Sequence, residues 1–198
     1  MFKKKVHVHI PENHHLISKI PNSGFKKGEI IEVPQGFEAL LLEADGGQEL
    51  IKNQLVIKLL NSVQYVYLAK SNRKVIRSNW GTPNRIKVNT DKGYQTLGGF
   101  GFIEFQLINP LRFVTTRMQN DEFTDESLIT QIALGRIPDA MHQVLPNLEP
   151  LNSDEQSALT NQLTKELKPV LQKSLDALGI QLEDLVIENI NFQSIEEA

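Results

Sequence analysis

No cysteine occurs in the 198 residues, which rules out disulfides, thiolate-held metals and a cysteine nucleophile, and fits a reducing cytosol. No stretch reaches the roughly 18 consecutive apolar residues that a membrane-spanning helix requires. The basic opening Lys3 to Lys5 lacks the apolar run of a secretory leader. Membrane contact is therefore expected to be peripheral, or made by a segment outside this chain. A surplus of positive charge is missing as well. The formal net charge is −3, and a general nucleic-acid binder needs a basic footprint that this balance does not supply. What is present is ordinary globular usage, 40% hydrophobic and 23% charged residues, in a chain long enough to bury a core as one compact unit.

The charge is unevenly placed. Residues 1 to 30 carry six Lys against Glu12 and Glu29, and the last 18 residues carry five acids and no base. Residues 70 to 92 hold seven basic groups, Lys70, Arg73, Lys74, Arg77, Arg85, Lys87 and Lys92, against Asp91 alone. On a strand reading these bracket a turn at Trp80-Gly81-Thr82-Pro83. The bases and Trp80 then form a candidate contact for an anionic surface, with Trp80 as interfacial anchor. The alternative is that Trp80 is core and the bases are merely solvated.

The first two thirds read as strands. Val6, Val8 and Ile10 alternate with His7 and His9 in the two-residue period of a half-buried strand. Glu29 to Val33 and Glu38 to Leu42 flank Pro34-Gln35-Gly36, a spacing that suggests a hairpin. Asp45-Gly46-Gly47 marks a further turn before the apolar runs Leu55 to Leu60 and Val63 to Leu68. Arg85 to Val88 precedes a long strand from Gln95 to Ile108, in which Ile103, Phe105 and Leu107 face a core and Glu104 and Gln106 face away.

After Thr124 the period becomes helical. Thr124 is expected to cap a helix whose buried stripe runs through Ile129, Ile137, Met141 and Leu145. A second helix, from Ser153, carries a leucine stripe from Leu159 to Leu178 and stops at Gly179. That stripe reads as core in preference to a coiled-coil seam. Pro138 and Pro169 predict kinks. A last strand, Leu182 to Phe192, is expected to place Val186, Ile190 and Phe192 on one side. The class is α+β: a mixed or antiparallel sheet region, two kinked helices and a final strand.

No catalytic signature emerges. Gly98-Gly99-Phe100-Gly101 runs into a strand, not a helix, and no Lys-Ser or Lys-Thr follows, so it marks a bulge or close backbone crossing and not a phosphate loop. His7 and His9, with Glu12, His14 and His15 near, offer a His-x-His metal alternative, but their alternation with apolar residues is that of a solvent-facing strand side. Asp121, Glu122, Asp125 and Glu126 cluster at a helix start, where the macrodipole accounts for them. No catalytic, cofactor or metal residues are assigned.

Three segments carry a family resemblance. Residues 30 to 42, Ile-Ile-Glu-Val-Pro-Gln-Gly-Phe-Glu-Ala-Leu-Leu-Leu, resemble the opening of SPFH (stomatin/prohibitin/flotillin, band-7) domains. Val66-Tyr67-Leu68 followed by Trp80-Gly81-Thr82-Pro83 is similar to a bacterial, virion-core-protein-like branch. The most specific segment, Phe100 to Phe113, resembles the family's strand, Asp-Pro turn and following Phe, with Asn109 in place of Asp; both residues suit turns. Further on, Gln131-Ile132-Ala133 and Ala177 to Ile187 match the family's helix and "Leu-Gly-Ile" strand.

The resemblance covers residues 28 to 195, a mainly β part (28–118) followed by helices and the final strand (119–195), and leaves 1–27 as an unassigned strand or arm. It implies a non-enzymatic, cofactor-free scaffold that forms homo-oligomers and organises an anionic membrane surface or membrane-protein partners, cytoplasmic and peripheral to the membrane. The alternative is a soluble protein-recruiting module, derived from a phage or mobile element, that binds no lipid. Relatives continue into a helical or coiled-coil region, so the resemblance implies a piece of a longer chain or a minimal form with weaker oligomers.

Overall fold

A computed structural model describes residues 5–6, 15–21, 24–82, 84–90, 93–118, 121–147 and 156–194. The strands are β1 (Lys5–Val6), β2 (His15–Lys19), β3 (Ile30–Glu32), β4 (Phe37–Glu43), β5 (Gln48–Ile51), β6 (Val56–Lys58), β7 (Val63–Lys70), β8 (Ile76–Gly81), β9 (Ile86–Thr90), β10 (Gly93–Leu107), β11 (Phe123–Asp125) and β12 (Ile180–Ser194). The helices are α1 (Pro110–Arg117), α2 (Glu126–Val144) and α3 (Gln156–Asp176). The class is α+β, as the periodicity predicts. The chain divides into two compact units, Met1–Lys74 with Leu107–Ile129, and Val75–Gln106 with Thr130–Ala198.

The first unit holds two sheets. One has the order β1-β3-β6, the other β11-β2-β7-β4-β5. Their shared core includes Ile31, Ala39, Leu41, Ile57, Val66 and Leu68. Strand β7 lies between β2 and β4, which explains why Val66 to Ala69 are buried without alternation. β3 and β4 do not form the expected hairpin. Gly36, at φ 85°, lets the chain leave one sheet for the other, so each strand contributes its apolar residues to the core between them. β4 forms its hairpin with β5 instead, closed at Gly46 by Glu43 N–H donating to Gly47 O at 2.8 Å. β5 escaped the sequence reading because Gln48 and Glu49 are exposed.

Helix α1 is a correction too, since Asn109-Pro110 reads as a turn. Asn109 is the N-cap, accepting from Arg112 N–H at 3.0 Å, and Pro110 occupies the first turn. The β-branched run Val114-Thr115-Thr116 disfavours helix. Burial of Phe113 and Val114 offsets this, and the Thr115 and Thr116 hydroxyls donate back to the carbonyls of Leu111 and Arg112. The cap of α2 also differs from expectation. Asp125 Oδ1 accepts from Leu128 N–H at 2.8 Å, while Thr124 lies in β11, fully buried, and its hydroxyl has no partner among the described residues. Thr124→Val keeps the β-branched shape and removes a desolvated donor. It is expected to raise the urea-unfolding free energy by about 1 kcal/mol; a loss of stability would show that the hydroxyl is bonded in solution.

The second unit is built on β10. β12 lies along one side of it, and β8 and then β9 along the other. Ile103 and Phe105 face inward as expected, and α3 packs its buried leucines, Leu159, Leu163, Leu167, Leu171 and Leu175, against β12. Helices α2 and α3 continue through Pro138 and Pro169 without restarting, and Gly179 follows α3 at φ 77°. Trp80 and Gly81 belong to β8 and not to a turn. On β12, Leu185 and Ile187 are buried and Val186 only half so, because burial steps by three residues, not two, from Leu182 to Leu185 and from Ile187 to Ile190.

The glycines of 98–101 mark a close crossing. A Cβ on Gly101 would lie 2.0 Å from Val186 O, and one on Gly99 would lie 3.2 Å from Asn189 O. Only residues without side chains allow β12 this near.

Candidate functional site

The predicted basic stretch is divided. Lys70, Arg73 and Lys74 belong to the first unit, and Arg77, Trp80, Arg85 and Lys87 to the second. Lys92 lies outside the described residues.

Arg73 and Arg85 have internal duties. Arg73 Nη1 meets Glu38 Oε2 at 3.0 Å, with side chains only 9% and 8% exposed. Its Nε donates to Leu107 O at 2.9 Å, and Nη1 donates also to Lys70 O. One guanidinium thus joins β4, the end of β7 and the end of β10. Arg85 donates from Nε to Thr96 Oγ1 at 3.1 Å, and from Nη2 to Thr96 O at 3.2 Å and Asn191 O at 2.9 Å, linking β10 to β12.

Trp80 is 6% exposed, and its indole N–H donates to Val186 O at 3.3 Å across the glycine crossing. In this position it is core, the second of the two readings of the sequence. Lys74, Arg77 and Lys87 remain on the surface. Arg77 lies 3.6 Å over the Phe102 ring and 3.3 Å from Glu104, and Lys87 lies 4.8 Å over Tyr94.

A different surface combines apolar and cationic groups. Around β6, Leu55, Val56 and Leu60 are 61%, 58% and 75% exposed. Ile57 and Leu59 point into the core, so alternation sends Val56, Lys58 and Leu60 outward. Lys52 precedes the strand and is exposed. Gly28 N–H donates to Leu59 O at 2.9 Å, and Lys26 and Lys27, which precede Gly28 in the chain, are exposed. The signal in the sequence is that Leu55 to Leu60 puts apolar residues on both faces of a strand, where a half-buried strand needs them on one.

A cleft of about 400 Å³ beside α1 is lined by Leu42, Glu43, Gln64, Tyr65, Tyr67 and Val114 among others. Its lining holds one carboxylate, Glu43, engaged by Asn61 Nδ2 at 2.9 Å, and no histidine, serine or lysine. Burial, and then the nearby Tyr65 and Asp121, raise the Tyr67 phenol above its ordinary pKa, and its hydroxyl donates to Met118 O at 3.3 Å. His7, His9, Glu12 and His14 lie outside the described residues. His15 stacks on Phe123 at 4.1 Å, and Ser18 Oγ lies 3.2 Å from its Nδ1. Among the described residues, no three His, Asp or Glu side chains converge as metal ligands would, and no helix is long and apolar enough to cross a membrane.

No curated protein matches the chain. The family model described as SPFH domain-Band 7 family matches residues 63–198, from the first residue of β7 through α1, α2, α3 and β12. Members of that family are generally non-enzymatic, membrane-associated scaffolds. The chain belongs to the SPFH domain-Band 7 family.

Proposed function

We propose that this domain is a non-catalytic scaffold that self-associates and organises membrane or membrane-protein partners, meeting anionic membrane through the β6 edge. The observation that carries the membrane half is the exposed trio Leu55, Val56 and Leu60 on and beside β6, with Lys58 exposed between Val56 and Leu60, Lys52 exposed just before the strand, and Glu32 opposite Val56. Exposed apolar side chains in one place mark an interaction surface. Lysines around them favour an anionic lipid, at about 1 kcal/mol for each one close to the surface. The domain extends upstream of the matched segment at least to β4, because β4 pairs with β7 from Phe37↔Lys70 to Glu43↔Val63.

Flotation with phosphatidylserine-containing vesicles tests this reading. The protein is expected to float, to lose binding when Leu55 and Leu60 are both changed to Glu, and to lose most of it at high salt, since screening shortens the reach of exposed lysines. Because all these side chains are exposed, the variants are expected to melt within a few degrees of the parent. Absence of binding by the parent protein would remove the membrane half and favour a soluble protein-recruiting module.

A further inference from the structure

The cleft beside α1 belongs wholly to the first unit. Tyr65 stands opposite Leu42 and Tyr67 opposite Leu40 on β4, while Lys19 on β2 stands opposite Tyr67. Alternation puts all five on one face of the five-stranded sheet. Helix α1 lies on that face, where the Tyr67 hydroxyl donates to Met118 O and Val114 and Thr115 line the cleft.

Two features suit this cleft to a positive ligand. The first is Glu43, whose Oε1 accepts from Asn61 Nδ2 at 2.9 Å. Its Oε2 lies where a Cβ on residue 47 would come within 2.8 Å, so Gly47 leaves the carboxylate its room. No Lys, Arg or His pairs with Glu43 among the described residues, and no base lines the cleft. The second is the ring pair. Lys19 Nζ lies 3.7 Å from the Tyr65 ring centroid and 6.0 Å from that of Tyr67, so the rings already hold one ammonium by their negative faces. That lysine pairs with no carboxylate among the described residues, which leaves it exchangeable with another cation.

We infer that the cleft binds a small organic ammonium ion, its cationic end on the Tyr65 ring in place of Lys19, with Glu43 as counter-ion and Leu42 and Val114 against its carbon atoms. A volume of about 400 Å³ lies in the lower part of the range for ligand clefts and suits an ion the size of choline. A methylated ammonium is favoured over a metal ion. Calcium takes about six to eight oxygen ligands, and the lining offers a single carboxylate. Two aromatic rings and two aliphatic side chains instead reward the burial of carbon. The site adds solute binding to the scaffold and depends on neither membrane contact nor self-association.

Ligand-observed NMR on the whole chain with choline as probe tests this, because the trimethyl signal is one sharp line that broadens on binding. The parent is expected to broaden it saturably, and to bind dimethylbutanol, the uncharged carbon analogue, about tenfold more weakly or less. Glu43→Gln keeps an acceptor for Asn61 and removes the charge, and is expected to weaken choline binding about tenfold. Tyr65→Leu is expected to weaken it about fivefold, and Lys19→Met to tighten it about threefold, since no like charge then competes for the ring. Should Tyr65→Leu lower the melting temperature, the uncharged probe on the parent protein decides the role of charge without any substitution. No broadening by the parent, equal binding of the two probes, or equal binding by the parent and Glu43→Gln would each overturn the site. Choline binding no tighter in Lys19→Met would overturn the seat on Tyr65.

Discussion

Replacing Arg73 with alanine is expected to lower the urea-unfolding free energy by about 3–5 kcal/mol, because it leaves a buried carboxylate uncompensated. Glu38 sits on β4 at 6% exposure, and Arg73 Nη1 is its cation at 3.0 Å. The same guanidinium caps the carbonyls of Lys70 and Leu107, so those acceptors lose their donor as well. The double change Glu38→Leu with Arg73→Met removes both charges and is expected to recover most of the loss. Lys74→Ala, one residue on and exposed, is expected to stay within about 0.5 kcal/mol of the parent. A loss below about 1 kcal/mol for Arg73→Ala would show that water reaches Glu38. Charge reversal at Arg73 is consequently a test of folding and not of membrane attraction.

Gly101→Ala is expected to cost about 3 kcal/mol or more, since the added carbon falls 2.0 Å from Val186 O and backbone cannot rotate away as a side chain does. The damage falls where the Trp80 indole donates to Val186 O, so tryptophan fluorescence reports it directly. Gly135→Ala provides the opposite sign. Gly135 is exposed inside α2, meets nothing within 4 Å at its missing Cβ, and has no positive φ. Alanine there is expected to stabilise by about 1 kcal/mol. Equal effects at the two glycines would contradict the crossing.

Long periodic segments were legible because burial on one face is written at a fixed spacing. The α3 leucines, the Ile103-Phe105-Leu107 face of β10 and the glycine crossing all follow from residue order. What escaped depended on partners distant in sequence. β3 and β4 look like a hairpin until their separate sheets are known, and Pro110–Arg117 looks like a turn until Phe113 and Val114 find a core. Likewise, the list of bases between Lys70 and Lys92 identified charge but not its use. Whether an arginine is a surface cation or a buried tie depends on a carboxylate or carbonyl brought to it by folding, here Glu38 for Arg73 and Asn191 for Arg85. The β6 surface is present as an apolar run, and only the folded chain, with Ile57 and Leu59 buried, shows that Val56 and Leu60 are the exposed ones.

The absence of cysteine makes the central claim directly measurable, because a single introduced thiol is the only one to label. Leu60→Cys carrying an environment-sensitive fluorophore, added to phosphatidylserine-containing vesicles, is expected to shift to the blue and to be quenched by brominated acyl chains. The same probe at Glu166→Cys, exposed on α3, is expected to remain aqueous. A label at position 60 that stays in water on vesicles carrying the protein would contradict membrane contact through the β6 edge.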